Sequence, residues 1–378
     1  MVFNSYFLPD ELVDRMDTSE LEQKKYSIDE GDIFLTRTSE VVDELGMSSV
    51  ALKGYQRATY SGFLKRLRPI KEKVTYPKFM AFYLRSPLFR KAMTNNAVLT
   101  LRASLNEEIF SYLDLILPEY SEQVKAGDFL FLLSQKVSCN NRINAELEAM
   151  AKTLYDYWFV QFDFPDTNGN PYKSSGGKMV YNTKLKREIP AGWKDGSLWE
   201  IARYFNGLAM QKHRPVGNEY LPVIKIKEMG EGISDSTERA RPDIPKEAII
   251  DDGDVLFSWS ATLDVKIWSQ GKGALNQHIF KVTSDKYPKT FYYFELLRYL
   301  AHFKMMAEKR KTTMGHITQD HLKQSRISIP PTELIERAHE MIAPIFKKHL
   351  LHEKESHYLI QLRDWLLPML MTGQVTVA

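Results

Sequence analysis

The chain has 378 residues, a length that corresponds to about two or three domains. Hydrophobic residues make up 43% of it, which is enough to bury a core and argues against a disordered protein. Lys plus Arg number 51 and Asp plus Glu number 48, so the formal net charge of +3 excludes a histone-like polybasic protein. The single cysteine, Cys139, excludes a disulfide scaffold and a cysteine-built metal site.

Two features argue against secretion and membrane insertion. Residues 1–14 contain three acids and no basic residue, unlike a secretory signal. No apolar run reaches the roughly 18 residues that a spanning helix requires. We therefore expect a soluble, cytoplasmic protein that has no contact with a membrane.

The first predicted strand follows a Gly-Asp pair near the N-terminus. Residues 26–38, YSIDEGDIFLTRT, form an acidic turn, then Gly-Asp, then an apolar run, then small polar residues. A short apolar run after a turn predicts a strand around Phe34 and Leu35. The aromatic-rich residues 77–86 predict a helix further along.

A strongly basic segment covers the same region. Residues 53–91 contain eleven Lys or Arg against one acid, interleaved with tyrosines and small polar residues. Such interleaving is typical of a surface that contacts phosphates, although a solvated face is the alternative. Residues 178–227 and 302–326 show a similar basic excess.

The first long helix is predicted from heptad-like spacing. Ile143, Leu147, Met150, Leu154 and Tyr157 recur at intervals of 4, 3, 4 and 3, the pattern of a coiled-coil seam. Two interpretations remain open: an amphipathic helix on a core, or one member of an intramolecular antiparallel pair. The Gly-, Ser-, Asn-, Pro- and Lys-rich residues that follow predict a linker.

The chain then repeats itself. Residues 248–260, AIIDDGDVLFSWS, match the first Gly-Asp segment at a distance of 222 residues. RISIP (326–330) matches DLILP (114–118) at a distance of 212 residues. Residues 264–268 alternate like a strand, residues 288–302 predict a helix, and a second long helix carries Ile335, Ala338 and Ile342. The sequence therefore predicts two copies of a β-rich part followed by a long helix.

The two copies differ in length before the Gly-Asp pair. Sixty residues separate Trp193 from Gly253, whereas only 30 residues precede Gly31. This spacing predicts that the first copy lacks the N-terminal part of its domain. It also predicts that the first copy has no counterpart of LPVIKIKE (221–228).

Tests for catalytic motifs leave one weak alternative. A DNA adenine methyltransferase needs a glycine-rich cofactor loop and an (Asn/Asp)-Pro-Pro-aromatic element, and neither is present. Asp243, Asp264 and Lys266 match the degenerate pattern of a metal-dependent nuclease. The cluster of His349, His352 and His357 lacks the His-Glu-x-x-His spacing of a zinc site and is typical of a polar interruption in a helical seam.

Several long motifs resemble a known family. They are LYDYWFVQFDFP with NGNPYKSSGGKM and REIPAGW, GDIFLTRTSE with SGFLKRLRP, GDVLFSWSA with ALNQHIFKV, and RISIPP with LRDWLLPMLMTGQV. In this order they resemble the specificity subunit of type I restriction–modification systems over essentially the whole chain.

The resemblance implies an α+β fold in which two mixed α/β target-recognition domains are separated by two long antiparallel conserved helices, a pseudo-two-fold internal repeat. It implies the following boundaries: first recognition domain 1–118, first conserved helix 119–164, linker 165–190, second recognition domain 191–330, second conserved helix 331–378.

The resemblance also implies a non-catalytic DNA-binding function. The partners implied are double-stranded DNA with a bipartite site, two adenine methyltransferase subunits, and restriction or translocase subunits that can join them. The chain itself binds no cofactor or metal, since S-adenosylmethionine, ATP and magnesium belong to the partners. A truncated or silent subunit that reads one half-site is an alternative.

The candidate DNA-binding residues follow the strands and the basic segments. Asn and Gln can pair with adenine and Lys with guanine, although Asn276 and Gln277 could instead form a turn. In the first copy the candidates are Thr36, Arg37, Ser39, Lys65, Arg66 and Arg68. In the second copy they are Lys225, Lys227, Ser258, Trp259, Ser260, Asn276, Gln277, His278, Thr312, Thr313 and His316.

Overall fold

The computed structural model describes residues 5–39, 44–96, 98–99, 103–104, 113–309 and 316–377. The chain divides into two compact units: a first unit of residues 1–139 and 358–378, and a second unit of residues 140–357. Each long helix begins in one unit and ends in the other. The described helices are α1 (Glu20–Lys25), α2 (Pro77–Tyr83), α3 (Pro87–Asn96), α4 (Tyr120–Phe159), α5 (Leu198–Ile201), α6 (Ile226–Glu231), α7 (Lys289–Lys309), α8 (Gln319–Gln324) and α9 (Thr332–Met371).

The strands are short and lie in both units. In the first unit they are β1 (Ile33–Thr36), β2 (Thr38–Ser39), β3 (Ser48–Val50), β4 (Leu64–Leu67), β5 (Val98–Leu99) and β6 (Ala103–Ser104). In the second unit they are β7 (Met179–Asn182), β8 (Arg187–Pro190), β9 (Lys194–Ser197), β10 (Arg203–Asn206), β11 (Leu221–Ile224), β12 (Arg239–Ala240), β13 (Ile249–Ile250), β14 (Val255–Ser258), β15 (Asp264–Ile267), β16 (Gly273–Leu275), β17 (Ile279–Thr283) and β18 (Arg326–Ile329).

The predicted strand after the first Gly-Asp pair is the centre of the first unit's main sheet. Strand β1 pairs antiparallel with β3 on one side and β4 on the other. All four residues of β1 are buried, as expected for a continuous apolar run. Gly31 enters the strand at φ +85°, a left-handed conformation that favours glycine.

The second Gly-Asp strand has the same central place in the second unit. Strand β14 lies in an antiparallel sheet of order β10-β17-β14-β15, and its four residues are all buried. Gly253 precedes it at φ +86°. A second sheet, of order β12-β11-β16-β13, contains the parallel pair β11–β16. The strand predicted for residues 264–268 is confirmed as β15.

The same hydrogen bonds close both Gly-Asp turns. In each, the glycine N–H donates to a carbonyl of a following segment, and the aspartate carboxylate accepts from the amide three residues before it. The pairs are Gly31 N to Ala51 O (2.8 Å), Gly253 N to Trp268 O (2.7 Å), Asp29 N to Asp32 Oδ2 (2.8 Å) and Asp251 N to Asp254 Oδ2 (2.8 Å). The predicted repeat is therefore a repeat in structure.

The two aromatic-rich segments form helices α2 and α7, as predicted, and supply the cores. Phe79 and Phe82 of α2 are fully buried in the first unit with Leu130 and Leu367 of the long helices. Phe291 and Phe294 of α7 are buried in the second unit beside Tyr155 of α4. In each unit the aromatic-rich helix and parts of both long helices thus supply the core beside the central sheet.

The long helices α4 and α9 run antiparallel within the second unit. In chain order along α4, the Asn140 side chain donates to the Glu355 carboxylate, and Glu148 Oε1 lies 2.8 Å from His349 Nε2. Further along α4, Trp158 lies beneath the guanidinium of Arg337. The partners on α9 descend in number as the α4 numbers rise, so the two helices form an antiparallel pair within the second unit. Helix α4 also packs on the core there, so both interpretations hold.

The predicted seam of α4 is wrong at two positions. Met150 is 55% exposed and Tyr157 is 37% exposed, whereas Ala151, Tyr155 and Trp158 are buried. The buried stripe lies one residue further along, because α4 must also cover the aromatic core of the second unit rather than only its partner helix. On α9, the predicted Ile335, Ala338 and Ile342 are buried, as expected.

The segment predicted as a linker is structured. Residues 179–190 form the antiparallel hairpin β7–β8. Tyr172 stacks on Phe164, which in turn stacks on Trp193. The low hydrophobic content concealed these contacts, since a single tyrosine of the segment joins a stack of aromatic rings.

Candidate DNA-recognition surface

Three rings meet where the central strand of the second unit ends. Trp259 follows β14 directly, and its ring lies 5.7 Å from that of His278 and 5.5 Å from that of His316. We call these residues the Trp259 cluster. Trp259 and His278 are half-buried, and His316 is exposed. The cluster therefore presents aromatic faces and imidazole nitrogens at the end of the central strand.

Polar neighbours hold the cluster in place. Trp259 Nε1 donates to Asn206 Oδ1 at 2.9 Å. Gln277 Nε2 lies 3.3 Å from His278 Nε2, and Ser260 Oγ lies 3.3 Å from His278 Nδ1. With the Gln277 amide as donor, His278 carries its proton on Nδ1 and donates it to Ser260.

Asn206 is a residue that sequence reasoning missed. It ends β10, and Gly207 follows at a point where a Cβ atom would lie 2.2 Å from the carbonyl oxygen of Asn276. Only glycine fits there, and its close approach places Asn206 beside Trp259. The Asn-Gly dipeptide was the available signal, but its role depends on a tryptophan 53 residues away.

Two residues that were predicted to contact DNA instead form hydrogen bonds within the fold. Thr36 and Ser258 are 2% and 0% exposed. Thr36 Oγ1 donates to Glu44 O at 2.6 Å and accepts from Met47 N at 3.0 Å, so it closes the loop after β1. Ser258 Oγ likewise donates to Thr262 O and accepts from Asp264 N. Direct contact with a base is incompatible with this burial, which corrects the expectation for both.

Ser260 and Asn276 are also buried, at 2% and 7% exposure. Asn276 Oδ1 accepts from the amide of His278 at 3.3 Å, so Asn276 shapes the turn before β17, which was the alternative raised for it. Ser260 orients His278. Gln277 and His278 are the half-buried residues of this segment. His278 belongs to the Trp259 cluster, and Gln277 lies beside it.

In the first unit, Arg37 occupies the position that Trp259 has in the second. It follows β1 and is exposed, and its amide donates to Phe63 O at 2.9 Å. Ser39 lies in β2, where it pairs with Ala103. Lys65 is half-buried on β4 opposite Leu35.

Arg66 and Arg68 are bound within the fold. Arg66 Nη1 donates to Ser27 O at 2.5 Å. Arg68 makes two 2.6 Å hydrogen bonds to Asp32, whose side chain is completely buried, and a further ion pair with Asp29. The hydrogen bond to Asp32 raises the pKa of Arg68. These contacts hold both arginines in place within the fold, but Arg68 is still exposed, and contact of the two residues with phosphate stays a prediction.

The remaining candidate DNA-binding residues differ in exposure and in their ion pairs. Lys225 precedes α6 and forms an ion pair with Glu238, while Lys227 on α6 is exposed. Thr312 and Thr313 lie outside the described residues.

The nuclease alternative gains no support from the geometry. Within the described ranges, no three His, Cys, Asp or Glu side chains converge as a metal site would require. Asp243 pairs with Arg241 at 3.3 Å, and Lys266 Nζ donates to the carbonyl of Met229.

The chain is therefore a repeat-built protein of mixed α+β fold, and in each repeat an exposed or half-buried side chain follows the central strand. A family model described as "Type I restriction modification DNA specificity domain" matches the chain twice, over residues 15–149 and 190–362. These matches cover more than half of the chain, and the chain belongs to this family.

Known proteins agree with this assignment. The chain is 25% identical over 275 residues to the type I restriction enzyme MjaIX specificity subunit of Methanocaldococcus jannaschii, covering 69% of this chain and 60% of that protein. It is 22% identical over 320 residues to the HindI specificity subunit of Haemophilus influenzae, covering 70% of each. The match therefore spans less than two thirds of the length of the MjaIX subunit.

The fold has a solved counterpart. The S subunit of a type I restriction–modification system from M. genitalium superposes with a TM-score of 0.54 at 14% identity, covering 92% of this chain and 84% of that one. The matched family model describes a DNA specificity domain, and both relatives are named as specificity subunits. Among the helices in the described ranges, none combines the length and apolar character needed to cross a bilayer.

Proposed function

We propose that this chain reads a bipartite DNA site, one half with each repeat, and docks two adenine methyltransferase subunits. The observation that carries the proposal is the repeated strand end. In both units a buried hydroxyl braces the loop after the central strand, and the next residue is accessible: Arg37 is exposed and Trp259 is half-buried.

The chemistry of the two strand ends suits DNA. The guanidinium of Arg37 can pair with a guanine edge or a phosphate. The Trp259 cluster offers ring faces and the polar atoms of Gln277 and His278, which suit contact with base edges or with a deformed step. Exposed Lys227 and half-buried Lys65 are suited to phosphates, which position a protein on DNA without reading sequence.

A stripe on α9 supports docking of the methyltransferase subunits. Within the first unit, Tyr358, Leu362 and Trp365 are 63%, 40% and 66% exposed. Their spacing of four and three residues puts them on one helical face. An exposed apolar stripe of this kind is typical of a protein–protein interface. In this proposal the partners supply S-adenosylmethionine, ATP and magnesium, restriction or translocase subunits can join, and the complex acts in the cytoplasm.

The test is to co-express the chain with its cognate methyltransferase subunit and to sequence the host methylome. We expect adenine methylation at an asymmetric motif with two defined halves and a fixed spacer. A symmetric motif made of one repeated half would mean that only the second repeat reads DNA, as in the alternative of a silent or truncated subunit. A stable complex without methylation would contradict the proposal.

The docking stripe has its own test. Trp365→Glu is expected to abolish co-purification with the methyltransferase subunit, because a buried interface excludes an unpaired charge. Lys347→Gln on the same helix is the control, since it changes the charge equally at another exposed position. Equal loss in both variants would argue against the stripe. Purified chain with magnesium and plasmid is expected to show no cleavage, in contrast to the nuclease alternative.

A further inference from the structure

A recess of about 670 Å³ opens in the second unit; its lining residues come in part from the basic segments 178–227 and 302–326, but none is among the candidate DNA-binding residues named above. Helices α7 and α8, strand β18 and the turn of the β7–β8 hairpin form its wall. Its described wall carries six basic side chains and no acidic one. They are Lys184, Arg187, Arg298, His302, His321 and Arg326.

The acidic residues that pair with these basic side chains do not line the recess. Arg326 forms an ion pair with Asp195 and lies 3.3 Å from Glu200. Lys184 shares Asp195 at 3.3 Å. Arg298 pairs with the fully buried Glu295 at 2.7 Å. These carboxylates hold the cations in position without occupying the recess.

Arg187 has no such partner. Its Nη2 donates to Ser328 Oγ at 3.0 Å, and its guanidinium lies 5.3 Å from the centre of the Phe162 ring. Among the described residues, no carboxylate forms an ion pair with it. Burial lowers the pKa of Arg187, and the nearby Arg298 lowers it further. The buried Glu295 carboxylate raises this pKa, but its ion pair is with Arg298 and not with Arg187. Because arginine remains charged, the wall holds a desolvated cation that is not directly paired with an anion.

We propose that this recess binds a phosphate-bearing small molecule of nucleotide size, with Arg187 as its principal ligand. A guanidinium with free donors pairs bidentately with phosphate, and several converging cations favour a phosphate over a single carboxylate. The volume lies within the range of small-molecule sites and exceeds what one phosphate fills. Tyr299 and Met306, also in the wall, offer an apolar surface for the rest of the ligand.

Titration calorimetry on the full chain, with inorganic phosphate, AMP and ATP in magnesium-free buffer, tests the proposal. We expect the nucleotides to bind more tightly than phosphate alone, and Arg187→Gln to weaken AMP binding by about tenfold or more, as for a lost charged hydrogen bond. Arg214→Gln removes an exposed arginine elsewhere in the second unit and is expected to leave the affinity unchanged.

A second variant guards against misfolding. His302 is exposed, so His302→Ala should keep the fold and still weaken AMP binding by a smaller factor. Absence of binding by all three probes, or equal affinity in the parent and Arg187→Gln, would overturn the proposal. Displacement of AMP by an unrelated DNA duplex at equal phosphate concentration would also overturn it, because the recess would then be a contact for the DNA backbone. Methylation of the host genome is a separate readout, so the two proposals can fail independently.

Discussion

The two repeats share what is buried and differ in what is exposed. Both central strands follow a glycine in the left-handed region, and both end in a hydroxyl that bonds two backbone groups of the next loop. Both are backed by a cation from the neighbouring strand, Arg66 or Lys281, that donates to an equivalent carbonyl. The residue that follows the central strand, however, is Arg37 in one copy and Trp259 in the other. The buried parts of the two strand ends are therefore shared, whereas the side chains that we propose to contact DNA are not.

The strand ends also differ in how firmly they are held. In the second unit, β10 pairs with β17 and brings Asn206 to Trp259. In the first unit, β4 corresponds to β17 and pairs, among the described strands, with β1 alone. Trp259 is therefore preorganised by a hydrogen bond, and Arg37 keeps the freedom of a long exposed side chain. Recognition by the second repeat should depend more on a single side chain.

The largest expected effect concerns the aspartate of the Gly-Asp pair. Asp32→Ala removes a fully buried carboxylate that receives two hydrogen bonds from Arg68, so it should lower the free energy of unfolding by about 2–4 kcal/mol. Asp254→Ala should cost less, since Asp254 is partly exposed and has a single ion pair with Lys281.

The free energy of unfolding is measured by urea titration, with hydrogen exchange of the β1 and β14 amides as the local readout. Asp29→Ala is the control, because Asp29 binds Arg68 from an exposed position and should cost less than about 1 kcal/mol. Equal losses for Asp32→Ala and Asp29→Ala would break the argument that burial makes this pair structural.

The next effect sharpens the difference between the strand ends. Trp259→Ala should reduce methylation of the cognate motif by about one to two orders of magnitude, because it removes a preorganised contact worth about 1–3 kcal/mol. Arg37→Ala should reduce it less and should relax the sequence requirement of the other half. Methylome sequencing of both variants checks this, with Tyr181→Ala, an exposed aromatic on β7, as the control. Relaxation of the same half by both variants would contradict the assignment of one half to each repeat.

A smaller effect is expected for the bracing hydroxyls, and it should be the same in both repeats. Thr36→Val removes the shorter of the two acceptors of the Met47 amide, which also donates to Glu44 O at 3.3 Å, and Ser258→Ala removes the hydroxyl that accepts from the Asp264 amide. Each should lower the free energy of unfolding by about 1–2 kcal/mol and leave the methylation motif unchanged. Thr36→Ser keeps the hydroxyl and should be close to the parent. A changed motif would mean that these residues contact DNA after all.

The smallest effect is a pH dependence confined to the first unit. The hydrogen bond from Lys78, supported by one from Tyr76, lowers the pKa of Asp128 below its usual 3.8. A lowered pKa stabilises the folded state above the ordinary value, and this contribution disappears as the pH falls through the lowered pKa. Asp128→Asn should therefore cost less than about 1 kcal/mol near neutral pH and nothing in strong acid. Urea midpoints at about pH 6 and about pH 2 test it, and a pH-independent cost would contradict it.

Much of the architecture could be predicted because local signals agreed. The Gly-Asp turn, the apolar run and the aromatic helix occur twice in the same order, and both copies formed the expected elements. The long helices were predicted, but the seam of α4 was misplaced by one position at Met150 and Tyr157. Heptad spacing describes packing against one partner helix, whereas α4 also covers the second unit's aromatic core.

The amino-acid sequence by itself determined the repeat, the central strands, the long helices and the family, because each depends on residues close together or on order along the chain. Only the tertiary structure decided which polar side chains are free. Arg68 is 36 residues from Asp32, and Asn206 is 53 residues from Trp259. The wall around Arg187 is assembled from segments between residues 184 and 327. A side chain's availability for DNA or phosphate depends on such distant partners, since a buried charge or hydroxyl must satisfy them first.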